Sequence, residues 1–190
     1  MNPLATFKAD RDRARDADDP MASLCTVANV DEDGTVQQRT LVLRDVDEEL
    51  AIFVNATSPK WPHLQTRCAV MTYWPSVQVQ FRLQVTTAPL PHELVAESWQ
   101  LRPPMPKRMD WFYTQSHRQS SAFADRAVLQ AAVQAVSLPS PLVAPGTSSG
   151  LRLVPYCVER LDLTQADGLH DRRVYTLKDN GSWEETVLVP

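Results

Sequence analysis

The chain has 190 residues, 43% of them apolar and 22% charged, with a formal net charge of −4. That size suits one domain with a real interior, and the acidic balance argues against bulk attraction to nucleic acid or an anionic membrane. No apolar run approaches the roughly 18 residues that span a bilayer, and the Arg- and Asp-rich start, Met1 to Asp19, lacks the apolar segment of a signal peptide. The three cysteines, Cys25, Cys68 and Cys157, are widely spaced inside apolar runs, so they read as reduced core residues of a cytoplasmic protein. Fifteen prolines against five glycines argue for many fixed turns and few flexible loops.

Residues 2–17 are expected to form a helix with Leu4, Phe7 and Ala14 on one side, ended by Asp18-Asp19-Pro20. Residues 24–30 are strand-like, Asp33-Gly34 is a hairpin signal, and residues 35–44 make the return strand. Residues 50–55 form another strand. Ser58-Pro59 reads as an N-cap with Pro at the first helical position, opening a short helix through Leu64. Residues 68–74 and 77–86 are two more strands joined at Pro75-Ser76. In the second, Val77, Val79, Phe81, Leu83 and Val85 face one way and Gln78, Gln80, Arg82 and Gln84 the other. Residues 92–101 are helical and stop at Arg102-Pro103-Pro104. Residues 107–114 suggest a second short helix, and the Ala-rich residues 120–136 a longer one. Residues 138–149 are Pro- and Ser-rich and read as a loop. Strands are expected at 151–162, 173–177 and 183–189, the last two joined by Asn180-Gly181. Many short strands with peripheral helices indicate an α+β, mainly β fold built on a barrel, in a single domain over 1–190.

The chain carries no GxGxxG, P-loop, HExxH, CxxC or GxSxG signature. The four histidines, His63, His92, His117 and His170, sit in unrelated segments, so no metal site is expected. What remains is a dispersed set of Arg, Lys, Gln and Ser. It suits a ligand with a phosphate, which favours paired cations, and a polar heterocycle such as the flavin of FMN, whose pyrimidine edge wants amide partners. Each residue also has a plain alternative. Arg39 can be a solvated strand arginine, Lys60 a surface lysine, Gln80 the wet face of its strand and Ser116 a helix cap. His170-Asp171-Arg172 can be a local turn with a surface ion pair.

The order of motifs resembles the pyridoxamine 5′-phosphate oxidase family from about Asn2 to Pro190. The blocks are Asp19-Pro20, Ala28 to Gly34, Arg39 to Asp45, Phe53-Val54-Asn55 with Ser58-Pro59-Lys60, and Trp74 through Gln80. Arg102-Pro103, Gln115-Ser116 and Leu169-His170-Asp171-Arg172 complete the series. The resemblance implies an FMN-binding split β-barrel with peripheral helices, a homodimer with FMN at its interface, and oxidoreductase chemistry on a small molecule. It implies that Arg39 and Lys60 hold the FMN phosphate. The strand Arg39, Thr40, Leu41, Val42, Leu43 and Arg44 runs along the flavin beside Phe53 and Val54. Gln80, Gln115 and Ser116 make polar contacts to the cofactor, and Arg172 reaches it from the late strands. Arg44, Arg102 and His170 are the implied substrate contacts, and no residue is implied as catalytic.

The substrate side departs from the family. Arg44 stands where a Lys is expected, Ser98 replaces a Tyr, Pro106 a Ser, Val79 an Arg, and Gly168 the Arg that packs over the substrate ring. No flavin-contacting Trp precedes the late motif, where the chain reads Glu159-Arg160-Leu161-Asp162, and the N-terminal arm found in some members is not expected. Losing several charge-assisted hydrogen bonds at roughly 1.5–3 kcal/mol each disfavours pyridoxamine phosphate as the substrate. The expected activity is oxidation or reduction of another small molecule. The alternatives are an FMN-binding protein without turnover (a sensor, carrier or flavin reductase) and a true pyridoxamine or pyridoxine 5′-phosphate oxidase.

Overall fold

The structure, a computed structural model, describes residues 2–115 and 117–190. It contains strands β1 (Leu24–Val30), β2 (Val36–Val46), β3 (Glu49–Asn55), β4 (Arg67–Trp74), β5 (Val79–Pro89), β6 (Ser148–Asp162), β7 (Asp171–Leu177) and β8 (Trp183–Leu188). The helices are α1 (Pro3–Asp16), α2 (Trp61–Leu64), α3 (His92–Gln100), α4 (Pro104–Gln115) and α5 (Arg126–Gln134), with a 3-10 turn at Pro20–Ser23.

The strands pair antiparallel in the order β3-β2-β1-β4-β5-β6-β7-β8, and a further β3–β6 pairing closes the first six into a barrel. The long β6 makes this possible. One of its edges pairs with β5 along most of its length, while the other pairs first with β3 (Leu151 with Ile52) and then with β7 (Val158 with Tyr175). The barrel wall therefore splits where β6 passes from β3 to β7. The β7–β8 hairpin turns at Lys178–Ser182, where Gly181 takes φ +79° and the Asn180 side chain accepts the Ser182 N–H.

The period-2 pattern of β5 fills the barrel: Val79, Phe81, Leu83 and Val85 are at most 1% exposed. Helix α1 packs onto this core through Phe7, whose ring meets Trp74 and Phe81 edge-on at 5.2 and 4.9 Å between centroids. Ala14 shares that buried face, and so do two charged residues, Asp10 and Arg11. Arg11 donates to the carbonyls of Ala22 and Leu43 and to Asp45, while Asp10 accepts from Arg160 of β6 and from Arg13. Their burial is thus matched by partners, as a charge in an interior requires.

Several expected boundaries move; the strand expected over 77–86 runs Val79–Pro89, because Gln78 takes φ +50° in the turn before it, and β6 and β7 start earlier than expected, at Ser148 and Asp171. The helix expected to be capped at Ser58 begins at Trp61, because the Ser58 hydroxyl accepts from Lys60 Nζ at 2.9 Å rather than from the backbone. The helix expected over 120–136 occupies only Arg126–Gln134. Asp125 caps it by accepting from Val128 N–H at 2.9 Å, and Ser120 has φ +73°, outside helical space. The short helix expected at 107–114 is longer, Pro104–Gln115, with its prolines in the first turn where no intrahelical donor is lost.

Candidate functional site

A cavity of about 490 Å³ opens between the barrel wall and helices α3 and α4. The barrel side supplies Thr40, Leu41, Val42 and Arg44 from β2, and Phe53, Val54 and Asn55 from β3. The helical side supplies Val95, Ser98 and Trp99 from α3, with Met109, Asp110 and Tyr113 from α4. Ser148 and Ser149 enter from the start of β6, and Gln119 from the loop after α4. Phe53 lies beside Gly150 in the strand register. A Cβ at that glycine would stand 3.0 Å from the Phe53 ring and 2.8 Å from Leu90 Cδ1, so glycine here sets how deeply Phe53 seats.

Lys60 lines one end of this cavity and also a second depression with Arg39, Ser58, His63, Gln37, Asp31 and Ser120. Arg39 bonds Asn29 of β1, a neutral partner, and Lys60 bonds the Ser58 hydroxyl. Among the described residues neither cation has an ion-pair partner. The one carboxylate in the depression, Asp31, accepts from Gln37 and from the backbone of Thr35 and Asp33. Burial lowers the pKa of Lys60 and the neighbouring Arg39 charge lowers it further, while burial lowers that of Arg39. Two partly buried cations that repel each other across an open depression form an arrangement that an anion would relieve.

Two polar atoms on the cavity wall are buried and unbonded: Gln119 Oε1 and Ser148 Oγ. Their neighbours are firmly held. Asn55 donates to Thr147 Oγ1 at 3.1 Å and accepts from Thr57, whose hydroxyl in turn accepts from Gln119 N–H at 3.3 Å. Orphaned buried groups in a native wall call for a ligand or water.

The helical end has its own charge arrangement. Asp110 is 3% exposed, accepts from Trp99 Nε1 at 2.8 Å and pairs with Arg102 at 3.1 Å. Burial pushes its carboxyl above the usual range against the opposing pull of Arg102, Trp99 and Asn55. Arg44, half-buried in the same cavity, makes no side-chain hydrogen bond or ion pair among the described residues.

Of the residues singled out in the sequence, Thr40, Leu41, Val42, Arg44, Phe53, Val54, Lys60 and Arg102 come together around this cavity, with Arg39 in the adjoining depression. Leu43 points into the barrel core, as strand alternation requires between Val42 and Arg44. Gln80 sits on the outer face of β5, and Gln115 donates to the Ser137 carbonyl. Arg172 pairs with Glu159 at 3.0 Å on β7, and His170 is exposed just before that strand. These four lie outside the cavity walls of their own chain, and Ser116 lies outside the described residues. Asn55, though part of a matching block, was given no site role from the sequence, and Asp110, Gln119 and Ser148 were not singled out. Asp110 had one signal, as the single carboxylate of α4.

No family model matches the chain. It is similar along its whole length to the pyridoxine/pyridoxamine 5′-phosphate oxidase of Anaeromyxobacter dehalogenans strain 2CP-C, at 29% identity over 197 residues and 96% of that protein. The enzyme of the same description from Pseudomonas entomophila strain L48 is 30% identical over 177 residues, covering 89% of this chain and 79% of the relative. Among solved structures, PhzG from Burkholderia lata 383, in complex with tetrahydrophenazine-1-carboxylic acid, superposes with a TM-score of 0.81 at 24% identity, covering 100% of this chain and 93% of that one. A pyridoxamine 5′-phosphate oxidase-related, FMN-binding protein from Nostoc punctiforme PCC 73102 does so at 0.81 and 19% identity, covering 100% and 99%. At those identities the solved structures share the fold, a split barrel.

Proposed function

This chain is a diverged member of the pyridoxine/pyridoxamine 5′-phosphate oxidase family, and we propose that it is an FMN-dependent oxidoreductase acting on a small molecule other than, or in addition to, pyridoxamine phosphate. The observation that carries this reading is the pair of cations, Arg39 and Lys60, which form no ion pair among the described residues, beside a cavity with two orphaned polar atoms. The donor set fits FMN. Arg39 and Lys60 would hold the phosphate, Gln119 and Ser148 would bond the polar edge of the flavin, and the β2 segment Thr40–Val42 with Phe53 would flank its ring. When bound, FMN supplies a ring that accepts and returns a hydride. The chain's own part is to bind and orient it, to keep water from the helical end with Val95, Trp99 and Met109, and to hold substrate against Arg44.

The homodimer belongs to the same proposal. Gln80 and Arg172 stand on surfaces turned away from their own cavity, and Val42, Met71 and Tyr73 leave apolar area exposed on the outer barrel wall. A second copy packed there would bring such residues to the first copy's flavin. The purified protein is expected to be yellow, to release FMN on denaturation and to carry one FMN per subunit of a dimer by light scattering. Colourless protein that takes up no added FMN overturns the proposal. Flavin reduction by candidate substrates, followed by reoxidation in air, separates an oxidase from a binder without turnover. Peroxide formation with pyridoxamine 5′-phosphate would identify the family's usual substrate.

A further inference from the structure

We infer that the split in the barrel wall is a second ligand site, apart from the large cavity, and that it takes a free amino acid with a large apolar side chain. The site is a cavity of about 290 Å³ beside α1, where β6 has left β3 and has not yet met β7. Strand β3 pairs with β6 as far as Arg152 and β7 takes up at Cys157, so residues 153–156 have no strand partner on this edge. Leu153, Val154 and Pro155 of that stretch line the cavity. Phe7 and Leu153 are buried in its lining, Leu50 and Trp183 are half-buried, and Val154 and Leu177 leave apolar area open to a ligand. Ligand pockets run from roughly 300 to 1,000 Å³, so a space at the low end suits a molecule of amino-acid size.

Charge selects the head group. Six charged side chains line the cavity, three of each sign, and four of them are already engaged. Asp45 holds Arg11 at 2.9 Å and Arg15 at 2.6 Å, and Glu49 pairs with Arg152. Lys8 on α1 and Glu48 in the β2–β3 turn remain. They are opposite in sign, and among the described residues they form no ion pair with each other or with any other group. A simple carboxylate would satisfy Lys8 but face Glu48, and a simple amine would do the reverse. A zwitterion meets both, with its carboxylate at Lys8 and its ammonium at Glu48. The turn that presents Glu48 is itself strained: Asp47 and Glu48 take φ +48° and +65°, where Asn and Gly are the favoured residues.

The test titrates the full chain by calorimetry at neutral pH with L-phenylalanine, L-leucine and two analogues of phenylalanine. Phenethylamine lacks the carboxylate and 3-phenylpropanoate lacks the ammonium. At least one amino acid should saturate with a Kd of about 1 mM or tighter, and each analogue should bind roughly fivefold or more weakly than phenylalanine. Lys8→Met should weaken phenylalanine by roughly fivefold and leave phenethylamine unchanged, and Glu48→Gln should do the same with 3-phenylpropanoate as the unchanged probe. Leu177→Trp, at an exposed position on the rim, should fill the cavity and abolish binding while FMN uptake stays as in the wild type. The inference is overturned if neither amino acid saturates by about 10 mM. It is also overturned if the analogues bind as tightly as phenylalanine, which would leave an apolar slot with no head-group selection. Unchanged binding by Leu177→Trp would put the ligand elsewhere and overturns it too. If Leu177→Trp does not fold, the two variants at the exposed Lys8 and Glu48 decide. The proposed FMN chemistry and this site stand or fall separately, because the titrations read the same on a chain that takes up no flavin.

Discussion

Lys60→Met tests the reading of the anion site in two directions at once. Lys60 is half-buried, and both its burial and the adjacent Arg39 disfavour its charge, with no ion-pair partner among the described residues. In the ligand-free protein, replacing it with an uncharged chain of similar length is therefore expected to be neutral or mildly stabilising, the reverse of what removing half an ion pair does. With FMN the sign changes. One charge-assisted hydrogen bond to a phosphate contributes about 1.5–3 kcal/mol, which corresponds to roughly a 10- to 150-fold loss of affinity. Riboflavin, which has the ring but no phosphate, serves as the internal control and should bind wild type and variant alike. Quenching of flavin fluorescence gives both affinities, and thermal melts without ligand give the stability. Equal weakening of FMN and riboflavin would refute the assignment of Lys60 to the phosphate. So would a clear loss of stability in the ligand-free variant, which would make Lys60 a structural residue.

Gly150→Ala should drive the Phe53 ring toward the cavity, cost about 1–3 kcal/mol in chemical denaturation and weaken FMN, whereas an unaffected flavin titration would show that Leu90 alone gives way. Arg11→Ala leaves the Ala22 and Leu43 carbonyls without their donor and should cost about 2–4 kcal/mol in urea unfolding; a cost below about 1 kcal/mol would mean that water fills the space. Asp19 accepts from Met21 N–H and from the backbone and hydroxyl of Ser76; burial alone would raise its pKa, but these bonds outweigh it and hold the carboxyl low. Its stabilisation is present above the unfolded pKa, near 4, and fades as pH falls through the lower folded value, so the deficit of Asp19→Asn should shrink in acid melts. Asp110 has the opposite sign: its folded pKa is raised, so its contribution is full below the unfolded value and is lost as pH rises through the folded one. The melting temperature of Asp110→Asn relative to wild type should therefore climb as pH rises above about 4, and a flat difference would refute a raised carboxyl.

Local pattern was enough for much of this protein. The alternation of Val79, Phe81, Leu83 and Val85 fixes which face of β5 is interior, because the strand period is two and one face must be dry. Asp33-Gly34 and Asn180-Gly181 mark hairpins because their glycines take a positive φ that other residues resist. The family resemblance grouped Arg39 with Lys60, and the fold brings both to the lining of one depression. Pattern failed where a side chain had two possible partners. Ser58 serves Lys60 instead of a helix end, and Asp125 rather than an earlier residue starts α5, since a cap is chosen by which donor lies within reach.

Only the tertiary structure brings distant charges face to face. Asp10 and Arg160 lie 150 positions apart and meet at 2.8 Å; in the sequence each is one more charge in a polar stretch. Asp110 is the same case with more at stake. Its one local mark is to be the single carboxylate of α4, yet the packing of α4 on α3 seats it between Trp99 and Arg102 and pairs it with one of the two arginines assigned to substrate. Sequence sets which groups are available and which strands can alternate, because those depend on covalent order. Which charges remain free to bind a ligand depends on burial and on neighbours from other elements, and those exist only once the chain has closed its barrel.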